Sequence, residues 1–213
     1  MIQLASVAMT FSSYGQGLPT YVFDPTTVSI PTDQPVAVLG HKKQGKSVLL
    51  RILAGVEVPT QGRVFTHARL SPVIKNGVLF RKRLSTVENI RFYARLLNVD
   101  PDQLSLIIDS FCRAPGKFHA ETKAGGEELA KAAELAMLSV LSFDCYLIDE
   151  IGQLPENPRE KLFDSAAERG AGIIFGCSQQ RLARKFARSA VVVRDRTVYC
   201  FSNIEEAINF HER

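Results

Sequence analysis

The stretch that decides the fold is Gly40-His41-Lys42-Lys43-Gln44-Gly45-Lys46-Ser47, preceded by the apolar run Pro35-Val36-Ala37-Val38-Leu39 and followed by Val48-Leu49-Leu50-Arg51-Ile52-Leu53-Ala54-Gly55. It is G-x-x-x-x-G-K-S set between a buried-strand pattern and a helical one, the context in which this spacing forms a phosphate loop. The glycines let the backbone curl so that successive N–H groups point inward. Together with the helix N-terminus behind them, these groups cradle a polyphosphate. On this reading Lys46 reaches the β- and γ-phosphates and the Ser47 hydroxyl holds Mg²⁺. The competing reading is a surface turn rich in glycine and lysine. The agreement of strand, loop and helix favours a nucleotide site, with Gly40, His41, Lys42, Lys43, Gln44, Gly45, Lys46, Ser47 and Val48 as its loop residues.

The remaining chain fits one domain built around that loop. At 213 residues it is long enough for a sizeable core, and the net charge of +4 is modest. Basic residues are scattered, with local clusters at Arg81-Lys82-Arg83 and between Arg181 and Arg188, so no nucleic-acid partner is expected. Cys112, Cys145, Cys177 and Cys200 are widely separated and form no C-x-x-C pair. Cys145 and Cys177 lie in apolar runs and read as small buried hydrophobes, so a reduced, cytoplasmic protein is expected. No run approaches the roughly 18 apolar residues of a spanning helix. A membrane role would therefore go through a partner.

Short strands are expected at Ile2–Leu4, Val7–Met9, Thr20–Phe23, Thr27–Ile30 and Val36–Leu39, with Gly15, Gly17, Pro19, Pro25 and Pro31 as punctuation. Phe11, Tyr14 or Tyr21 could stack on a base, although packing is the ordinary fate of an aromatic. A turn and strand follow over Val56–Val64, and Pro72–Arg83 reads as irregular and basic. Ser85 and Glu88 have the spacing of a capping box, and helices are expected from there and over Pro101–Arg113. Lys123-Ala124-Gly125-Gly126-Glu127 opens a further long helix.

The second chemical signal is Cys145-Tyr146-Leu147-Ile148-Asp149-Glu150, a buried strand ending in two carboxylates. With a phosphate loop in the same chain, Asp149 is placed to bind Mg²⁺ or its water shell. Glu150 is then placed to orient or deprotonate an attacking water. Helices near Arg159–Arg169 and Gln180–Ser189 alternate with strands at Ala171–Phe175 and Ala190–Val193. A hairpin-like Arg194–Phe201 and a helix at Asn203–Phe210 follow. The alternation implies a largely parallel sheet, and the strand-rich start an added antiparallel layer.

Gly40–Ser47, Lys123–Glu127 and Tyr146–Glu150, in that order and with a helical insert at roughly 85–140, resemble an ABC-transporter nucleotide-binding domain. Tyr21–Phe23, Leu49–Ile52, Pro59–Arg63, Glu88–Arg95, Phe143–Tyr146 and Asn203–Ile208 resemble, more narrowly, the ATP-binding subunits of capsular polysaccharide exporters. The resemblance covers essentially the whole chain. It implies an α/β phosphate-loop NTPase fold of the ABC ATPase type, one domain over 1–213, with ATP and Mg²⁺ as ligands. It also implies a homodimer or heterodimer of ATP-binding subunits on the inner face of the cell membrane, driving an integral-membrane permease. In such a dimer each ATP lies between one phosphate loop and the other subunit's signature, here Ala124, Gly125, Gly126 and Glu127.

The departures from that pattern are specific. Lys43 stands in place of a glycine and Val48 in place of a threonine. Ala124 replaces a serine, and Glu127-Glu128 places negative charge beside the γ-phosphate, which is unfavourable unless a cation intervenes. The expected glutamine has no clear counterpart, Asn76 being near its position. The segment Ile151-Gly152-Gln153-Leu154-Pro155 lacks an aspartate. Ser178, followed by Gln179, stands where the resembled family places a histidine on the γ-phosphate. Two readings follow: an ATPase subunit with Glu150 and Ser178 at the catalytic centre, or a non-hydrolysing nucleotide-sensing module on the same fold. A soluble phosphate-loop kinase or GTPase is a remote third, opposed by the Gly125-Gly126 helix start ahead of Asp149-Glu150.

Overall fold

In the computed structural model, the residues described are 1–11, 19–75, 80–81, 83–112 and 127–212. The chain divides into two compact units: Met1–Ile74 with Phe143–Gly152 and Ala167–Arg213, and Lys75–Ser142 with Gln153–Ala166.

The first unit carries two sheets. β1 (Ile2–Phe11), β2 (Thr20–Ile30) and β4 (Gln61–Thr66) form an antiparallel layer in the order β2-β1-β4. The larger sheet contains β3 (Pro35–Leu39), β5 (Leu70–Ile74), β6 (Cys145–Ile148), β7 (Gly172–Gly176), β8 (Ser189–Arg194) and β9 (Thr197–Phe201). Its order is β5-β6-β7-β3-β8-β9, parallel except for the final β8–β9 pair. The expected parallel sheet and antiparallel layer are both present. β6 and β7 are buried at every position, which is why they read as continuous apolar runs rather than alternating ones. One apolar core joins both sheets and the helix α1 (Lys46–Leu53), through Leu4, Phe23, Val38, Leu49, Leu50, Leu147 and Ile174 among others.

Three local expectations are corrected. The separate N-terminal strands are two long ones, and Pro25 lies within β2 rather than ending it. β2 is an edge strand and its register shifts beside Pro25, so the missing N–H interrupts no central ladder. Leu70–Ile74, partly assigned to an irregular segment, is β5. It is also an edge strand, with Pro72 at a register shift between Leu70 and Val73. The helix expected over Gln180–Ser189 is the shorter α6 (Gln180–Phe186), because Ser189 already pairs with Val36 in the sheet. The β8–β9 hairpin turns at Asp195 and Arg196, both at positive φ, as a two-residue turn matched to strand twist requires. The last helix of the first unit is α7 (Ile204–Glu212).

The second unit is helical: α2 (Thr86–Leu97), α3 (Pro101–Cys112), α4 (Glu127–Val140) and most of α5 (Glu156–Glu168). The capping box forms as the sequence predicts. The Glu88 N–H donates to Ser85 Oγ at 3.2 Å, and the Ser85 N–H donates to Glu88 Oε2 at 2.6 Å. Ile90, Ala94, Leu104, Ile108, Ala133, Ala136 and Met137 form its core. Buried Asn89 ties the segment ahead of α2 to the helix, accepting from the Arg81 N–H at 2.8 Å and donating back to the Arg81 carbonyl at 3.1 Å. Lys161 of α5 donates to the carbonyls of Ser110 and Phe111, both at 2.6 Å, satisfying the open C-terminal end of α3.

Candidate phosphate-loop site

β6, β7 and β3 are neighbours in the sheet, with Ile148 paired to Phe175 and Gly176 to Val38. Their carboxyl ends therefore open side by side. Asp149 and Glu150 follow β6, Ser178 follows β7, and the loop Gly40–Ser47 follows β3. Residues about a hundred positions apart in the chain meet at one edge, where open α/β sheets bind ligands.

The loop is shaped by its glycine and by its own side chains. Gly45 sits at φ 99°, and a Cβ built there would lie 2.6 Å from Val22 Cγ1 and 2.9 Å from Phe23 Cζ. Only glycine fits, in conformation and in space. The His41 N–H donates to Gln44 Oε1 at 2.8 Å, bracing the turn from within. The Lys46 ammonium folds over the loop and donates to the carbonyl of Gly40, and to that of His41 at 3.4 Å. Burial pushes its pKa below the usual lysine value, while the Glu150 and Asp149 carboxylates pull the other way. A phosphate oxygen offered to this ammonium competes with two neutral carbonyls, and a charged acceptor is the stronger partner.

Ser47 Oγ donates to Asp149 Oδ1 at 2.5 Å, joining the loop to the end of β6. A hydroxyl and a carboxylate side by side, with Asp149 only 8% exposed, form a hard-oxygen donor pair. That chemistry fits Mg²⁺, which takes one or two protein oxygens and completes its shell with phosphate and water.

Glu150 is held from two sides. Ser178 Oγ donates to Oε2 at 2.6 Å and the Ser178 N–H to Oε1 at 3.2 Å, with the Gly152 N–H at 3.4 Å from Oε1. Gly176 makes this approach possible, because a Cβ there would overlap the Asp149 carbonyl. The segment after Glu150 forms a short helical turn, Ile151–Gln153. Cys177 is buried with its thiol pushed up to about 11 by that burial, so it stays protonated and acts as a small apolar group.

Of the sequence candidates, Gly40–Val48, Asp149, Glu150 and Ser178 come together. Ala124, Gly125 and Gly126, with Asn76 and Tyr14, lie outside the described residues. Glu127 begins α4. Tyr21 is 55% exposed, and the Arg196 guanidinium lies 5.8 Å from its ring centroid. His211 was not singled out from the sequence. Its ring centroid lies 4.6 Å from that of His41, and no local pattern announces a partner so distant in the chain.

Fold and site together define an α/β protein with a phosphate loop at the carboxyl edge of its sheet. The ABC transporter family pattern matches residues 23–151, more than half of the chain, and the chain belongs to that family. Among relatives, it is 26% identical over 183 residues to ATP-binding protein BexA of Haemophilus influenzae, covering 84% of this chain and 83% of that one. It is 24% identical over 201 residues to the capsule polysaccharide export ATP-binding protein CtrD of Neisseria meningitidis serogroup B, covering 92% of each. It is 26% identical over 195 residues to the polysialic acid transport ATP-binding protein KpsT of Escherichia coli, covering 88% of this chain and 89% of that one. Among solved structures it matches the dimeric post-hydrolysis state of an ATP-binding cassette bound to ADP and Pi. The TM-score is 0.77 at 16% identity, over 96% of this chain and 99% of that one. The fold is therefore that of the ATP-binding cassettes. Among the described residues no helix is long and apolar enough to cross a membrane.

Proposed function

We propose that this chain is the ATP-binding subunit of an ABC exporter for a capsular or surface polysaccharide, one domain coupling ATP binding and hydrolysis to a separate integral-membrane permease. The observation that carries the nucleotide chemistry is the Ser47–Asp149 contact, which brings loop and strand end to one point with Lys46 and Glu150 beside it. The glycan class rests on the names of the relatives. Lys46 and the loop N–H groups bind the β- and γ-phosphates, aided by the N-terminus of α1. Ser47 and Asp149 would hold a Mg²⁺ ion, whose positive charge would be set against the phosphate oxygens. Glu150 orients the attacking water and accepts its proton, and Ser178 fixes the carboxylate that does so.

The chain works as a dimer, each ATP completed by the Ala124–Glu127 segment of the other subunit, at the cytoplasmic face of the membrane. A homodimer and a heterodimer with a competent paralogue both satisfy this arrangement. The second reading, a non-hydrolysing nucleotide-sensing module, is favoured by one observation. Ser178 offers a hydroxyl, already engaged by Glu150, where the resembled family offers a cation-capable imidazole. ATP turnover by the purified chain, with and without candidate permeases, tests the choice. Turnover that requires Mg²⁺ supports the ATPase, and tight ATP binding without turnover in either setting supports the sensor.

A further inference from the structure

The first residue of the phosphate loop after Gly40 is His41, whose ring is tilted 42° to that of His211, with centroids 4.6 Å apart. His211 lies in the last turn of α7, and its Nδ1 is buried with no hydrogen-bond partner. The charged groups around it are uneven in sign. The loop brings His41 and Lys46, with Lys42 and Lys43 next in sequence. β8 brings Arg194, whose Nη1 donates to the Phe210 carbonyl at 2.8 Å. Against these stands Glu212 on α7 itself, its carboxylate accepting from Gln180 of α6 at 2.6 Å. Arg184 of α6 is paired with Glu205 at the far end of α7. From β9, Tyr199 packs on Phe210, and β3 ends here in the uncharged Leu39-Gly40.

This setting biases the His211 imidazole toward its neutral form, with Glu212 opposing. Burial disfavours its charged form most, His41 and Lys46 repel a proton next, and Arg194 adds to them, so its pKa lies below the ordinary histidine value. A polyphosphate on the loop reverses the sign of the local field, because several negative charges then sit beside His41 and Lys46. The C-terminal carbonyls of α7 also favour a cation at His211.

We propose that the His41–His211 pair is a nucleotide-coupled proton site: a polyphosphate seated on the loop draws one proton from solvent onto the pair, linking α7 to loop occupancy. By linkage, nucleotide then binds more tightly as pH falls through the histidine range, tenfold for each unit by which it raises the pair's pKa. The proposal rests on the nucleotide reading of the loop.

The test is calorimetry of Mg-ADP binding to the intact chain near pH 6.5, in buffers of different ionisation enthalpy, which yields the protons taken up per nucleotide bound. Wild type should take up at least about 0.3 proton more than His211→Gln, and its affinity should rise about three- to tenfold more between pH 8 and pH 6. Comparing the two chains cancels the titration of ADP itself. His41→Gln, made on the loop rather than on α7, should show the same loss, and the double variant no further loss. Should His211→Gln misfold, as judged by circular dichroism, His41→Gln alone decides. Nucleotide binding with equal proton uptake in wild type and His41→Gln overturns the proposal. Absence of nucleotide binding at every pH overturns the nucleotide reading, and the proton site with it.

Discussion

Ser178 donates twice to Glu150, through its hydroxyl to Oε2 at 2.6 Å and its N–H to Oε1 at 3.2 Å. Ser178, which stands where the resemblance leads one to expect a histidine, thus holds the proposed water-orienting carboxylate but brings no charge of its own. Removing the hydroxyl should free one carboxylate oxygen, and Ser178→Ala should lower kcat about tenfold, the effect of one hydrogen bond to a charged group. Ser178→His restores a group able to carry positive charge toward the γ-phosphate and should raise kcat at least tenfold, about 1.4 kcal/mol of transition-state stabilisation. Steady-state ATPase kinetics read both. No gain in a folded, ATP-binding Ser178→His variant would move the balance to the non-hydrolysing reading.

The Lys46 ammonium spans the loop, resting on the Gly40 and His41 carbonyls. Lys46→Ala should therefore weaken ATP binding at least about a hundredfold, since the charge-assisted contact to the terminal phosphates is lost. Near wild-type affinity by calorimetry would count against the loop as the phosphate site.

Glu150→Gln keeps the shape and acceptor oxygen of the side chain but not its basicity. ATP affinity should hold, turnover should fall below detection, and an ATP-bound dimer should accumulate on size-exclusion chromatography. Unchanged turnover would make Glu150 a structural residue or part of the metal shell.

Gly45→Ala tests the loop's shape. The added methyl meets Val22 and Phe23, both against the core, and the φ of 99° disfavours any side chain. The variant should lose nucleotide binding and about 1–3 kcal/mol of stability, read by urea unfolding. A fully stable variant would show that the loop readily adopts another shape.

In the helical unit, Ser85→Ala removes the cap of α2 and should cost about 0.5–2 kcal/mol. The Ser85 N–H and hydroxyl hold the Glu88 carboxyl below its usual pKa. A lowered pKa in the folded state means this contribution is present above the unfolded value near 4.5 and is lost as pH falls through the folded one. The Ser85 N–H survives in Ser85→Ala, so the pH dependence is read on Glu88→Ala, whose denaturant unfolding should approach wild type in acid and separate from it near neutrality. A constant gap across pH would exclude the Glu88 half of the box.

What the sequence determined by itself is what neighbouring residues decide. The apolar run Val36–Leu39 entering Gly40–Ser47, the strand ending Asp149-Glu150 and the Ser85–Glu88 box each complete their chemistry within about ten residues, so backbone conformation and spacing suffice to read them. Edge strands escaped that logic. Pro25 reads as punctuation and Pro72 as the start of an irregular segment, and only a place at the rim of a sheet, where an N–H has no ladder partner to lose, lets each sit inside a strand. The side-chain contacts across the site escaped it too. Ser47 reaches Asp149, Ser178 reaches Glu150 and His211 reaches His41 because parallel crossovers place β7 between β6 and β3 and lay α7 against β3 and β8. Strand order is set by the joint burial of all the strands, a non-local free energy to which no single segment of the sequence is a guide.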